Sequence, residues 1–372
     1  MKLSLMQENL ARGLQIVSRA VSSRSTLPVL ANVLLRTEDA GLKLTATNLE
    51  IGITSWVPGK IDAEGTLTVP ARLFTDLVGG LPAGERIDLE GDGTTLRIRA
   101  GRYQTQLRGI DAEEFPVIPS PGERPTTRVS QKELRRALSE VVFAAATDEA
   151  RPILTGVLTR LSGQRLTLAA ADNYRIAVRG LGVMDPVEDT SLVVPARSYS
   201  ELLRVLADTD DPVDIMLASS KSQILFHVDG VDIVSRLIDG QFPNYQQVLP
   251  TSHATRAVVD RDELLKAVRI SALIASAAAN IVRLRLGEDG TGAITIAAAA
   301  DVGEAQTEVE AAIEGDTVQI SFNARYLQDA LQSLDLDQLA LEFSGPLSPG
   351  VLRPTTPDED YVHVIMPVRT PS

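Results

Sequence analysis

Few side chains in this 372-residue chain could carry out covalent or metal chemistry. There is no cysteine, which excludes disulfides and thiolate metal sites and suits a reducing compartment. Three histidines remain. His227, His253 and His363 fall in a predicted strand, a linker and the last predicted strand, without the i, i+4 spacing that presents two imidazoles to one metal from a helix. The acid pairs Glu113-Glu114 and Asp210-Asp211 read as solvated loop charge rather than as a general acid–base dyad. Gly79-Gly80 sits at a helix end, while Gly91-Asp92-Gly93 and Gly287-Glu288-Asp289-Gly290 read as hairpin turns. None is followed by Lys-Ser/Thr at the spacing of a phosphate-binding loop. No convergent catalytic set is visible, so the expectation is a protein without an active site, a metal or a cofactor.

What recurs is an arginine. Val69-Pro70-Ala71-Arg72 returns as Val194-Pro195-Ala196-Arg197 and, less sharply, as Phe322-Asn323-Ala324-Arg325. Counted from each arginine, apolar residues stand at +2, +5, +6 and +9: Phe74, Leu77, Val78 and Leu81; Tyr199, Leu202, Leu203 and Leu206; Leu327, Ala330, Leu331 and Leu334. That is the stripe of an amphipathic helix. The other face repeats as well, with a small polar residue or amide at +3 (Thr75, Ser200, Gln328) and an acid at +4 (Asp76, Glu201, Asp329). Each guanidinium can pair with the carboxylate one turn on, an interaction worth a few tenths of a kcal/mol, or face an external anion. The copies begin at residues 69, 194 and 322. These separations exceed those of solenoid repeats and are close to the length of a domain. Three homologous domains in one chain are therefore predicted, over residues 1–120, 128–250 and 255–372.

Composition permits the tripling. A chain of this length is too long for one ordinary core, and 44% hydrophobic residues supply apolar surface for several. The start, Met1 to Glu8, has no uninterrupted apolar run, and no stretch approaches a spanning helix, so a soluble cytoplasmic protein is expected. With 36 basic and 49 acidic residues the formal net charge is −13, which confines any nucleic-acid contact to a locally basic face.

Each third opens on a second amphipathic helix, predicted over Gln7 to Val21, Gln131 to Val142 and Arg261 to Ile270, with Ser130 and Asp260 as N-caps of the last two. Their polar faces carry Arg12 and Arg19, then Lys132, Arg135 and Arg136, then Lys266 and Arg269. Alternating strands follow: Val33 to Arg36, Leu42 to Ala46 and Ile51 to Trp56 in the first third; Gly156 to Leu161, Leu166 to Ala170 and Arg175 to Val178 in the second; Ile281 to Leu286, Ala293 to Ala298 and Glu304 to Val309 in the last. Further strands come after each arginine helix. Linkers are expected at Pro119 to Pro125 and Pro250 to Thr255. The predicted class is α+β, each domain packing two helices on antiparallel sheet and leaving an unpaired edge at each end of the chain unless neighbours pair with it.

Three stretches, Ala170-Ala171-Asp172-Asn173-Tyr174-Arg175-Ile176-Ala177-Val178, Leu237-Ile238-Asp239-Gly240-Gln241-Phe242-Pro243-Asn244-Tyr245 and Tyr361-Val362-His363-Val364-Ile365-Met366-Pro367-Val368-Arg369, resemble the bacterial sliding clamp family, the beta subunit of DNA polymerase III. The resemblance covers essentially the whole chain. It departs from the family at Asn173-Tyr174, where Gly-His is common, and at Pro152 and Ile153, where some members carry tyrosines. It implies a homodimeric ring of six domains that encircles double-stranded DNA and gives processivity in DNA replication, with DNA polymerase, clamp loader and repair proteins held through short peptide motifs. The implied DNA-facing residues are Arg24, Arg72, Arg135, Arg136, Arg197, Lys266, Arg269 and Arg325. A head-to-tail interface is expected to use Arg99, Arg102, Tyr103 and Leu107 against Leu273, Ile274, Glu304 and Glu308. The peptide groove is expected at Leu154, Tyr174, Ile176, Pro243, Val248, Tyr326, Leu347, Val364, Met366, Pro367 and Val368, with Arg175, Asn323 and Arg369 orienting the ligand. The alternatives are a three-domain enzyme with its site at a domain junction, and a protein-binding scaffold with no role on DNA.

Overall fold

Six α-helices carry the periodic stripes: α1 (Gln7–Val17), α2 (Ala71–Gly79), α3 (Gln131–Val141), α4 (Ala196–Leu203), α5 (Arg261–Ala275) and α6 (Ala324–Ser333). They were located in a computed structural model that describes residues 1–22, 27–38, 41–118, 124–218, 222–287, 292–356 and 359–369. The arginine-led helices are α2, α4 and α6. Their stripes turn inward, with Phe74, Tyr199 and Leu327 each nearly inaccessible to solvent and Leu77, Leu81 and Leu203 half-buried. Full burial of such a side chain contributes about 1.5–3 kcal/mol. At Gly13 in α1 a Cβ would lie 2.6 Å from Val57 Cγ2, so glycine there lets the helix approach the strand beneath it.

Two helix ends differ from expectation. α1 stops at Val17 and gives way to a 3-10 turn, Ser18–Ala20. α5 begins where expected, with Asp260 accepting from the Glu263 amide at 2.9 Å, but runs past Ile270 to Ala275. No glycine or proline interrupts residues 271–279. The helix ends at Ala275, and the turn over residues 276–279 that follows closes at Asn280, whose φ of 59° is left-handed and whose amide returns to the Ala275 carbonyl at 2.9 Å. Leu273 and Ile274, expected after this helix, therefore stand within it. Ser130, at the start of α3, also reaches the Asp210 carboxylate with its hydroxyl at 3.4 Å.

The chain forms two compact units, Met1–Lys132 with Arg197–Leu237, and Glu133–Ala196 with Ile238–Ser372. In the first, a five-stranded antiparallel sheet has the order Lys60–Ala63, Lys2–Met6, Arg86–Asp92, Thr95–Ala100, Tyr103–Arg108. An eight-stranded sheet follows the order Thr127–Ser130, Pro212–Leu217, Gln223–Val228, Val231–Arg236, Ile51–Pro58, Gly41–Thr47, Asn32–Glu38, Thr66–Pro70. Ile233 faces Ile53 across the seam between strands of the middle and first thirds.

The second unit holds a ten-stranded sheet in the order Gly156–Ala171, Arg175–Pro195, Tyr361–Ile365, Gly350–Pro354, Gln338–Phe343, Thr255–Asp260, Gly303–Gly315, Ala293–Ala300, Ile281–Leu286, Val318–Asn323. Ala177 faces His363 at its seam. The strands expected over Gly156–Leu161 and Leu166–Ala170 lie within one extended segment, Gly156–Ala171, whose register shifts on both sides of Gly163. The middle third thus divides its strands, four to the first unit's sheet and two to the second's. Each seam satisfies backbone groups that an isolated middle domain would leave exposed at a sheet edge.

Candidate partner cavity and basic helix faces

In the second unit a cavity of about 320 Å³ is lined by Leu154, Ile176, Val248, Val364 and Met366, with Phe242, Pro243 and Tyr245 from the loop before Val248. Sheet register builds it. Tyr361–Ile365 lies antiparallel to Arg175–Pro195 with Val364 opposite Ile176, and the Met366 amide adds one more bond, donating to the Tyr174 carbonyl at 2.8 Å. Leu154 enters from the 3-10 turn Pro152–Thr155 and packs in a small apolar cluster with Phe242 and Val364. The lining is apolar, small and edged by polar groups, as expected of a site for a short peptide.

Arg175 also lines the cavity, with its side chain only 10% exposed. Its Nε donates to Asp172 at 3.0 Å, one terminal nitrogen to Asp329 at 2.6 Å and the other to the Phe143 carbonyl at 2.9 Å. The guanidinium also lies 4.7 Å from the Tyr326 ring and 5.3 Å from that of Phe143. Tyr326 stacks on Tyr174, centroids 6.0 Å apart, and Tyr174 remains 55% exposed at the rim. Asp172 fixes this turn by accepting from the backbone amides of Tyr174 and Arg175. The resemblance assigns Arg175 to orienting a ligand. Three of its five N–H donors are committed to the protein, which lets it brace the rim. Beneath it, His363 is fully buried with neither ring nitrogen hydrogen-bonded among the described residues, and burial, helped by Arg175, pushes its imidazole down to about 3.

Known proteins match this chain over its full length. Residues 1–119, 128–244 and 246–369 match the N-terminal, central and C-terminal domains of the DNA polymerase III beta subunit. The chain belongs to the beta sliding clamp family. It is 35% identical over 374 residues to the beta sliding clamp of Synechococcus elongatus, covering 99% of each chain. The DNA polymerase sliding clamp of Bacillus subtilis superposes with a TM-score of 0.93 at 31% identity, covering 100% of this chain and 99% of that one. A sliding clamp from Pseudomonas aeruginosa, solved bound to griselimycin, gives 0.91 at 32% identity with both chains fully covered. The fold is the three-domain clamp fold, with six helices on antiparallel sheets.

Of the residues expected in the groove, the cavity gathers Leu154, Tyr174, Arg175, Ile176, Pro243, Val248, Val364 and Met366. Tyr326 joins through its stack on Tyr174. Asn323, Leu347, Pro367, Val368 and Arg369 are not part of its lining. Asn323 is the N-cap of α6 and accepts from the Arg325 amide at 3.0 Å, so its side-chain oxygen is already used. The Val368 amide donates to Ser321, while Leu347 and Arg369 are exposed. Arg151, Ala171, Asp172, Asn173, Phe242, Asn244 and Tyr245 line the cavity without having been expected there. The last three lie inside the Leu237 to Tyr245 stretch, and Ala171, Asp172 and Asn173 inside the Ala170 to Val178 stretch, that carried the resemblance, so the signal was present.

The basic residues separate by their partners. Arg24 lies outside the described residues. Arg72, Arg135, Arg197, Lys266, Arg269 and Arg325 are exposed on the helices. Pairing with the acid at +4 occurs once, loosely, between Arg72 and Asp76 at 4.0 Å. Glu201 is taken instead by Arg19 and Arg204, and Asp329 by Arg175, leaving Arg197 and Arg325 without those carboxylates. Lys266 pairs with Glu263 at 3.0 Å in an exposed contact of little strength. Arg136 is placed differently. It donates to Glu140 at 3.1 Å and Glu359 at 2.7 Å, and Arg179 closes on the same Glu140 at 3.3 Å. Burial raises the Glu140 carboxyl against the pull of Arg179 and Arg136. A guanidinium held in that cluster has its charge balanced by two carboxylates, which sets Arg136 apart from the exposed cations on the helices.

At the expected interface, Tyr103–Arg108 is the terminal strand of its sheet, and Arg99, Arg102 and Tyr103 are exposed. Leu107 is not: at 5% exposure it belongs to the first unit's core. In the second unit, Gly303–Gly315 pairs with Ala293–Ala300 along one edge and meets Thr255–Asp260 on the other only from Ala311 onward, so the edge bearing Glu304 and Glu308 has no strand partner among the described residues. Leu273 is 74% exposed, whereas Ile274 is partly buried against the core. Among the described residues no helix is long and apolar enough to cross a membrane.

Proposed function

We propose that this chain is a sliding clamp that closes around duplex DNA as a head-to-tail homodimer and tethers the replicative polymerase, acting as a processivity factor without catalysis of its own. The observation that carries the reading is the unbroken match to all three clamp domains, together with superposition on sliding clamps from end to end. The domains are taken as residues 1–120, 128–250 and 255–372. Two copies would join the free edge near Tyr103 of one to the edge bearing Glu304 and Glu308 of the other, with Leu273 as apolar contact and Arg99 and Arg102 facing the acids. A heterologous contact of this kind yields a ring only if it closes, and closure removes both unpaired edges.

DNA would meet Arg72, Arg135, Arg197, Lys266, Arg269 and Arg325, a weakly basic lining inside an otherwise acidic molecule, which favours sliding over tight binding. Polymerase, clamp loader and repair proteins would each place a short peptide in the cavity formed by Leu154, Ile176, Val248, Val364 and Met366. Met366 suits a site with several ligands, because its thioether adapts to different shapes. The test is primer extension on a circular single-stranded template with the cognate polymerase and loader. Adding this chain should lengthen the product made in one binding event. Unchanged product length with a loader proven active on the same template would refute the reading.

A further inference from the structure

The loop 240–246 has a cavity on each side. One is the partner cavity. The other, of about 490 Å³, is lined by Leu158, Arg160, Ser191 and Val193 of the paired strands Gly156–Ala171 and Arg175–Pro195. Phe242, Pro243, Asn244 and Tyr245 line both, so the wall between the cavities is a single loop.

Strand register orders the outer cavity. Leu158 faces Val193, and the next same-face pair along the strands is Arg160 with Ser191, about 7 Å further on at the rise of a strand. The Ile238 amide, just before the loop, donates to the Val193 carbonyl at 2.9 Å, so the loop joins the apolar end. Arg160 is exposed, and no carboxylate lies within ion-pair distance of it among the described residues. Asp189, the only acid of the lining, stands beyond Ser191 at the far end and accepts from Ser162. Half-buried Tyr245 has its phenol pushed up by burial, and the Arg160 and Arg165 charges act on it in the opposite sense, which places guanidinium charge near the shared wall. Arg165 is engaged with Asp360, so Arg160 is the cation free to meet a ligand.

We infer that the outer cavity is a second subsite for the same partner peptide, taking an acidic side chain that flanks the residues anchored in the inner cavity and pairing it with Arg160. The inference rests on the peptide reading of the inner cavity. Continuity across the one-loop wall argues for one ligand in both cavities. Leu158 and Val193 are buried in the same apolar cluster as Leu154 and Val364 of the inner cavity, and Arg160 stands about 7 Å beyond them, which sets the acid about two residues beyond the apolar anchors.

The test uses the full chain and a fluorescent polymerase-derived peptide, compared with versions carrying Asp or Lys two residues outside its apolar anchors at either end. At low salt the Asp version should bind about threefold more tightly than the Lys version at one end, the scale of an exposed ion pair. Discrimination should fall to about one in Arg160→Ala and invert in Arg160→Glu, while the parent peptide binds both variants as it binds the native chain. Absence of discrimination in the native chain, or discrimination that survives in Arg160→Ala, overturns the second subsite. Parent-peptide affinity that persists after deletion of Met366 to Ser372 overturns the inner-cavity reading instead, so the two failures are distinguishable.

Discussion

Replacing Arg175 by Ala separates support of the cavity from contact with its ligand. The side chain is 10% exposed and makes three hydrogen bonds, two of them to carboxylates, at 2.6–3.0 Å. Hydrogen bonds to charged groups contribute about 1.5–3 kcal/mol each, and removing one partner of a buried pair costs about 3–5 kcal/mol. Asp329 is 44% exposed and recovers water once released, while Asp172 keeps two backbone donors, so the lower end applies. The expected loss is about 3 kcal/mol, or about 6–12 °C in the unfolding of a unit near 200 residues. Arg175→Lys should lose roughly half of this, since an ammonium can reach one carboxylate but not span three acceptors. Calorimetry of both variants, combined with Asp329→Asn in a double-mutant cycle, gives the coupling directly. An Arg175→Ala chain that melts within about 2 °C of the native protein yet no longer binds peptide would mean that the guanidinium contacts the ligand, and the argument from its partners would fail.

Leu273→Asp should leave folding within about 0.5 kcal/mol, because the side chain is 74% exposed, and should convert dimers to monomers in sedimentation; a dimer that persists excludes the proposed interface. For His363 the folded pKa of about 3 lies below the ordinary value, so the neutral form is favoured by folding. Its contribution is complete above about pH 6.5 and is lost as pH falls from there toward 3, which His363→Phe should flatten in acid unfolding; an unchanged acid limb would count against it. Replacing Arg72, Arg135, Arg197, Lys266, Arg269 and Arg325 by Ala should shorten the residence of loaded rings on circular DNA and flatten its salt dependence, by about 0.9 in log–log slope for each phosphate no longer neutralised. Residence unchanged in the six-fold variant would reject this lining.

The arginine-led helices were legible because a helix writes its buried face locally, and Phe74, Tyr199 and Leu327 stand where the spacing put them. The end of α5 was not, since nothing between Ser271 and Ala279 breaks a helix and the turn that follows Ala275 closes on the left-handed Asn280. Pairings between distant residues were likewise invisible. Arg136 looks like a free cation on a polar face until Glu359, 223 positions on, is brought beside it. Arg175 meets Asp329 across 154 positions, so its supporting role could not be read from its neighbours in sequence. The same limit hid the division of the middle third between two sheets, because alternation reveals a strand but not which strand it pairs with. In the cavity, the resemblance brought forward the apolar walls. Arg151 escaped notice, and Leu107, on an edge strand, turned out to point inward.

The most direct measurement is topological. The chain is loaded onto nicked circular DNA by its loader, the complex is isolated by gel filtration, and the circle is then cut once with a restriction enzyme. A ring closed around duplex should stay with the intact circle at salt that dissociates ordinary electrostatic complexes and run off the linear ends after cutting. Equal retention on circular and linear DNA would contradict encirclement and leave only surface binding.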